Sequence, residues 1–157
     1  RDVADTQWWY DSEGIRNNTA TADSSRRAWC PVMAWQGSTV NLDLAKVNLY
    51  EGSSYASASC QLFTTNSTGG VYSTATRFSC GTDQVNGCTS DSNPGDFGYR
   101  SLTWSGVNLP NGGANITNAA AYGYYCLLPS RVHYLNPQYI TEFYSKIMSY
   151  SVEQVSP

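Results

Sequence analysis

A Ser–His–Asp relay needs a histidine, and this sequence holds a single one, His133. It lies in Ser130-Arg131-Val132-His133-Tyr134, just past Pro129, and no Gly-x-Ser-x-Gly elbow presents a serine to it. A structural or surface role is the expectation for His133. Paired carboxylates can cleave glycosidic bonds, but the 12 acids are scattered from Asp2 to Glu153. Most, Glu51 among them, fall in loop-like stretches where solvated carboxylates belong. The chain is therefore expected to be no enzyme and to need no cofactor.

Metal and thiol chemistry have stronger carriers. Asp91-Ser92-Asn93-Pro94-Gly95-Asp96 is rich in oxygen donors, which makes Asp91, Asn93 and Asp96 weak calcium candidates. The spacing is not that of an EF-hand, and a turn held by Asx hydrogen bonds is the simpler reading. No resident metal is expected. The 5 cysteines, Cys30, Cys60, Cys80, Cys88 and Cys126, show no Cys-x-x-Cys spacing of a zinc or redox centre. Disulfides suit them better. Pairing Cys60 with Cys126 would join two core strands distant in sequence and close a long loop. Pairing Cys80 with Cys88 would pin a loop rich in Gly and Asn. Cys30 is then left over, either for a bond between molecules or as a buried free thiol. Sequence alone leaves the other connectivities open.

Recognition chemistry has candidates too. Sugars stack on aromatic faces, and the chain holds 5 Trp and 12 Tyr, with Trp35, Trp104, Tyr72 and Tyr99 on or beside strand-like runs. Aromatics at strand spacing also serve as core or cross-strand pairs. Asn17, Asn66 and Asn115 each open an Asn-x-Ser/Thr sequon and are glycosylation candidates.

Composition narrows the partners. Charged residues make up 13% of the chain, about half the usual share, and the net charge is −3. The only lysines are Lys46 and Lys146, and Arg26-Arg27 is the one adjacent basic pair. Nucleic-acid binding needs a basic stripe to neutralise phosphates, so no nucleic-acid partner is expected. No apolar run approaches the roughly 18 residues of a membrane span. The first residue is Arg1 rather than Met, as cleavage of a signal peptide or trimming would leave it. A surface built from Ser, Thr, Asn, Gly and Tyr, with paired cysteines, points outside the cell.

The elements that must position these groups read as strands. Val40, Leu42 and Leu44 alternate on one parity and Ala45, Val47 and Leu49 on the other, which calls for a β-bulge near Leu44–Lys46. Ala58–Thr64, Val71–Cys80, Tyr99–Trp104, Ala121–Leu128 and Lys146–Val155 complete the set. Gly-, Asn- and Pro-rich turns separate them. An all-β antiparallel sandwich or jelly roll over residues 29–157 is the expected fold. One short helix is expected from Asn136 to about Tyr144, with Pro137 at its first position. Residues 1–28 lack core periodicity and read as an extended N-terminal arm whose anchors are Trp8, Trp9 and Tyr10.

Tyr124-Tyr125-Cys126-Leu127-Leu128-Pro129 and Ser149-Tyr150-Ser151-Val152-Glu153 resemble the end of a group of secreted bacterial β-sandwich domains without assigned activity. Cys30-Pro31-Val32 and the Cys60 strand fit the same outline, so the resemblance spans residues 30–153, with residues 130–144 as an insertion. It implies a jelly-roll-like domain, a place in extracellular fibrils and no catalytic residues. The expected role is a structural subunit of a bacterial, extracellular and glycosylated filament. Copies of the chain would join head to tail through the arm, since such a contact does not close on itself. The alternative is a carbohydrate-binding module or lectin-like adhesin, with glycans as partners.

Overall fold

The computed structural model of the protein describes residues 8–11, 14–17, 25–32, 41–52, 56–66, 70–79, 98–109, 119–129, 132–136, 139–143 and 145–155. Among them lie β1 (Trp8–Asp11), β2 (Gly14–Asn17), β3 (Arg26–Val32), β4 (Asn41–Glu51), β5 (Ser59–Asn66) and β6 (Val71–Ser73). They are followed by β7 (Arg77–Phe78), β8 (Gly98–Ser105), β9 (Ala119–Leu128), β10 (Val132–Asn136), β11 (Tyr139–Phe143) and β12 (Lys146–Val155). One sheet runs β1-β2-β12-β4-β8 and the other β3-β9-β5-β6, with β7 also on β5. Among the described residues, β10 and β11 pair only with each other. The described pairings are all antiparallel. The fold is an all-β sandwich.

Alternation sorts the side chains. Leu42, Ala45, Val47, Leu49, Leu102, Trp104 and Ile147 face inward from one sheet, and Ala28, Cys30, Cys60, Leu62, Tyr122, Tyr124, Cys126 and Leu128 from the other. Two bulges keep the long β4–β12 ladder in phase. Asp43 is the extra residue of β4, between the pairs Leu44↔Glu153 and Leu42↔Gln154. Met148 is the extra residue of β12, between Ile147↔Leu49 and Ser149↔Asn48. The expected bulge is present, slightly earlier than the alternation of β4 placed it. The Met148 bulge lets buried Ile147 and then Tyr150 and Val152 share the inner side.

Cys60 and Cys126 face each other across β5 and β9 and form the expected disulfide, with Cα atoms 4.1 Å apart. Pro31 is accommodated because β3 is an edge strand, where a missing N–H breaks no ladder. Cys80 and Cys88 lie outside the described residues.

Three expectations are corrected. The N-terminal stretch is not an extended arm: β1 and β2 form a hairpin, and β2 pairs with β12 of the same molecule at Arg16↔Lys146 and Ile15↔Ile147. The third strand also begins at Arg26, inside the stretch assigned to the arm. The expected helix from Asn136 is the β10–β11 hairpin, with Asn136 opposite Tyr139. Tyr139-Ile140-Thr141-Glu142-Phe143 is aromatic and β-branched, which favours a strand. The only helical turn among the described residues is a 3-10 turn over Gly106–Asn108.

Candidate functional site

The outer face of the stapled sheet carries the open aromatic surface. Trp29 sits between buried Ala28 and Cys30, so alternation turns it outward, and it is 55% exposed. Its indole lies on the backbone of Gly123. A Cβ built at Gly123 would meet Cζ2 of Trp29 at 2.5 Å, and Cε2 and Cη2 at 2.9 Å. Only a strand position without a side chain lets the ring come this close. One ring face is thus spent on the sheet, and the other side supplies the exposed area. The Trp29 and Phe63 ring centroids are 6.0 Å apart at 44°, and those of Phe63 and Tyr125 are 6.2 Å apart at 88°.

Beside these rings is a shallow recess of about 220 Å³ lined by Arg27, Ser59, Gln61, Thr76, Tyr125 and Leu127. The Arg27 guanidinium lies 6.0 Å from the Tyr125 ring centroid, within cation–π range. It is the one charged side chain among the described residues along the recess. Gln61 is held in place, its Nε2 donating to the Thr74 carbonyl at 2.6 Å. Among the described residues the site therefore offers ring faces, a cation and hydroxyls.

The opposite outer face is built differently. Tyr50 and Tyr99 meet edge to face at 5.4 Å, and with Lys146 and Met148 they line a second recess of about 280 Å³. Next to it a polar row crosses three strands. Ser101 Oγ donates to Asn48 Oδ1 at 2.8 Å, and Asn48 Nδ2 donates to Ser149 Oγ at 2.9 Å.

Polar groups inside the sandwich are committed to structure. Glu51 is fully buried, contrary to the expectation of a solvated carboxylate. Its carboxylate accepts from the Ala58 N–H at 3.3 Å, from Ser145 Oγ at 2.7 Å and from the Ser79 hydroxyl. These bonds tie the end of β4 to the segments just before β5, after β7 and before β12. Tyr124 bridges the two sheets: its oxygen accepts from the Lys46 N–H at 3.0 Å, and its hydroxyl donates to the Ser151 carbonyl at 2.5 Å. Burial pushes the Tyr124 phenol well above its ordinary range. Cys30 is a buried free thiol, pushed up to about 11 by burial.

The residues singled out from sequence are scattered. Trp104 is not an open platform: it is fully buried, donates from Nε1 to the Ala75 carbonyl and packs on Tyr124 at 5.8 Å. Tyr99 is 75% exposed on β8 and Tyr72 is exposed on β6, in different sheets. Asn17 cannot accept a glycan as placed, because it is buried and its Nδ2 donates to the Leu128 carbonyl at 3.1 Å. Asn66 ends β5 opposite Ala119. Trp8, Trp9 and Tyr10 lie in β1, the outermost strand of their sheet. His133 pairs with Glu142 in the β10–β11 ladder. Trp35, Asp91, Asn93, Asp96 and Asn115 fall outside the described residues. Trp29, Phe63 and Tyr125 were not singled out; the signal for Trp29 was the parity of Ala28-Trp29-Cys30. Among the described residues no three His, Cys, Asp or Glu side chains gather to hold a metal. No family of known proteins, curated protein or solved structure matches the chain.

Proposed function

We propose that the protein is a non-catalytic, extracellular glycan-binding module that works through the outer face of the β3-β9-β5 sheet. The observation that carries this reading is Trp29, laid flat on Gly123 with its other side towards solvent. A pyranose ring has an apolar face that stacks on such a surface, while hydroxyls take hydrogen bonds from groups at the rim. Large apolar side chains clustered in the open mark a recognition surface more often than an accident of folding. An extracellular setting is supported by the Cys60–Cys126 disulfide. No helix among the described residues is long and apolar enough to cross a membrane. Electrophoresis through gels containing a panel of soluble polysaccharides tests the reading. At least one polymer retards the native protein and fails to retard Trp29→Ala; equal mobility of the two proteins in every gel would sink it.

A second reading, a structural subunit of an extracellular bacterial filament, is favoured by the N-terminal hairpin. Its seat on β12 is shaped for it: a Cβ at Gly14 would lie 2.0 Å from the Ile147 carbonyl oxygen, and Asn17 is buried against Leu128. The same contacts made between copies would join subunits by exchange of the hairpin. Sedimentation velocity across a wide concentration range checks this: growth of species with concentration, abolished by deleting residues 1–17, supports it, and a concentration-independent monomer contradicts it.

A further inference from the structure

Strand register sets a grid on the outer face of the stapled sheet. Arg27, Leu127 and Ser59 form one row, Trp29, Tyr125 and Gln61 the next, and Pro31, Gly123 and Phe63 the third. Rows two residues apart along a strand are separated by about 7 Å. The middle of the third row has no side chain. Gly123 is nevertheless buried, because the Trp29 indole leans across from the second row and covers it. The neighbouring rings do not continue the plane of that indole. Phe63 is tilted 44° to Trp29, and Tyr125 stands at 88° to Phe63. Both are half-buried, whereas Trp29 is 55% exposed. The face therefore presents one open ring with inclined rings beside it. The recess next to Tyr125 measures about 220 Å³. Pockets that enclose a drug-sized ligand run from roughly 300 to 1,000 Å³, so this one has room for a short piece of a sugar chain.

We propose that the Trp29 face takes a single hydrated glycan strand and not the surface of a crystalline polysaccharide, with Gly123 as the positioning residue that holds the indole for it. This rests on the glycan-binding reading of the Trp29 face. A crystalline polymer offers a flat array of sugar faces, which coplanar rings would match. A plane resting on Trp29 lies 44° off Phe63, so a solid surface can stack on one ring and gains little from the others. A separate strand turns about its glycosidic bonds. One sugar can stack on Trp29 while the next enters the recess, where Arg27, Ser59 and Gln61 meet its hydroxyls. Gly123 acts through Trp29. A Cβ there would meet the indole at 2.5 Å and lift it off the sheet.

The test uses the full chain in two assays. In the first, native protein is offered a panel of soluble polysaccharides, and separately a suspension of crystalline cellulose or crystalline chitin. At least one soluble polymer should bind, and neither solid should deplete the protein from solution. Depletion by either solid, lost in Trp29→Ala, would overturn the inference and leave the glycan-binding reading standing. Binding of no polysaccharide in any form would remove both. The second assay reads Gly123. Gly123→Ala should weaken binding of the soluble polymer at least about tenfold, as Trp29→Ala does. It should also raise the acrylamide quenching of the Trp29 fluorescence, taken as the difference from the matching Trp29→Ala protein. Native affinity in Gly123→Ala would overturn the positioning role. Where Gly123→Ala does not fold, the double variant with Trp29→Ala decides. It should melt with Trp29→Ala alone, because no indole remains to clash; failure of the double variant to fold would overturn the role of Gly123.

Discussion

The two sheets of this sandwich are completed by different means. The β3-β9-β5 sheet is fastened in its middle by Cys60–Cys126, a bond on the inner side that leaves the outer face free. The β12-β4-β8 sheet has no such bond among its described residues and is extended at its edge by the β1–β2 hairpin. That hairpin meets β12 through two register pairs, whereas β4 meets it through nine. The comparison teaches where each sheet tolerates change. A stapled sheet can expose Trp29, with Phe63 and Tyr125 half-buried beside it, because its strand order does not rest on them. The other sheet depends on close fits, at Gly14 and Asn17, that a single side chain can spoil.

The largest effect is expected from the staple. Cys60 and Cys126 are 66 residues apart, and in the chain-entropy treatment a loop of that size gives about 4 kcal/mol. Urea unfolding with and without reductant measures it; a loss under 1 kcal/mol would mean that the sheet does not need the bond. Next comes the edge. Gly14 has φ 132° and sits against the Ile147 backbone, so Gly14→Val should cost about 3 kcal/mol and detach the hairpin. Thermal unfolding together with amide exchange on β12 reads this, and unchanged exchange at Ile147 would show that the seat is not tight.

The tie between the sheets comes third. Tyr124→Phe removes the oxygen that serves both the Lys46 N–H and the Ser151 carbonyl, and should cost about 2 kcal/mol. No loss would mean that these two register partners close the gap by themselves. The smallest stability effect is one of pH. The Cys30 thiol is pushed up to about 11 in the folded protein, from an ordinary value near 9. Between those values the folded state holds the proton more tightly than the unfolded one, so stability falls as pH rises. The loss due to Cys30 should be about 1 kcal/mol by pH 10. Melting curves from pH 8 to 10 should be flatter for Cys30→Ala than for the native chain; parallel curves would remove Cys30 as a source.

Much of the fold was legible because long strands buried on one or both sides write their pattern locally. β4, β5, β8, β9 and β12 all lie where alternation or apolar runs placed them. The Cys60–Cys126 bond was legible because both cysteines lie in such runs. The N-terminal hairpin was not: Gly14-Ile15-Arg16-Asn17 shows no alternation, and its place is set by a carbonyl 133 residues away that only Gly14 can approach. The burial of Glu51 was hidden for the same reason, since its partners come from three separate segments. The candidate site was half legible. Stacking chemistry was expected, but it was assigned to Trp104, which the core consumes, and not to Trp29. Deciding between the two tryptophans required knowing which parity of β3 and β8 faces inward.

The most direct test of the account is the affinity of the native protein and of Trp29→Ala for whichever polysaccharide retards the native chain. The open indole predicts that Trp29→Ala weakens binding at least about tenfold, equivalent to about 1.4 kcal/mol, while its near-ultraviolet spectrum keeps the signal of buried Trp104. Equal affinity of the two proteins, with the fold intact, would contradict the claim that this face binds glycan.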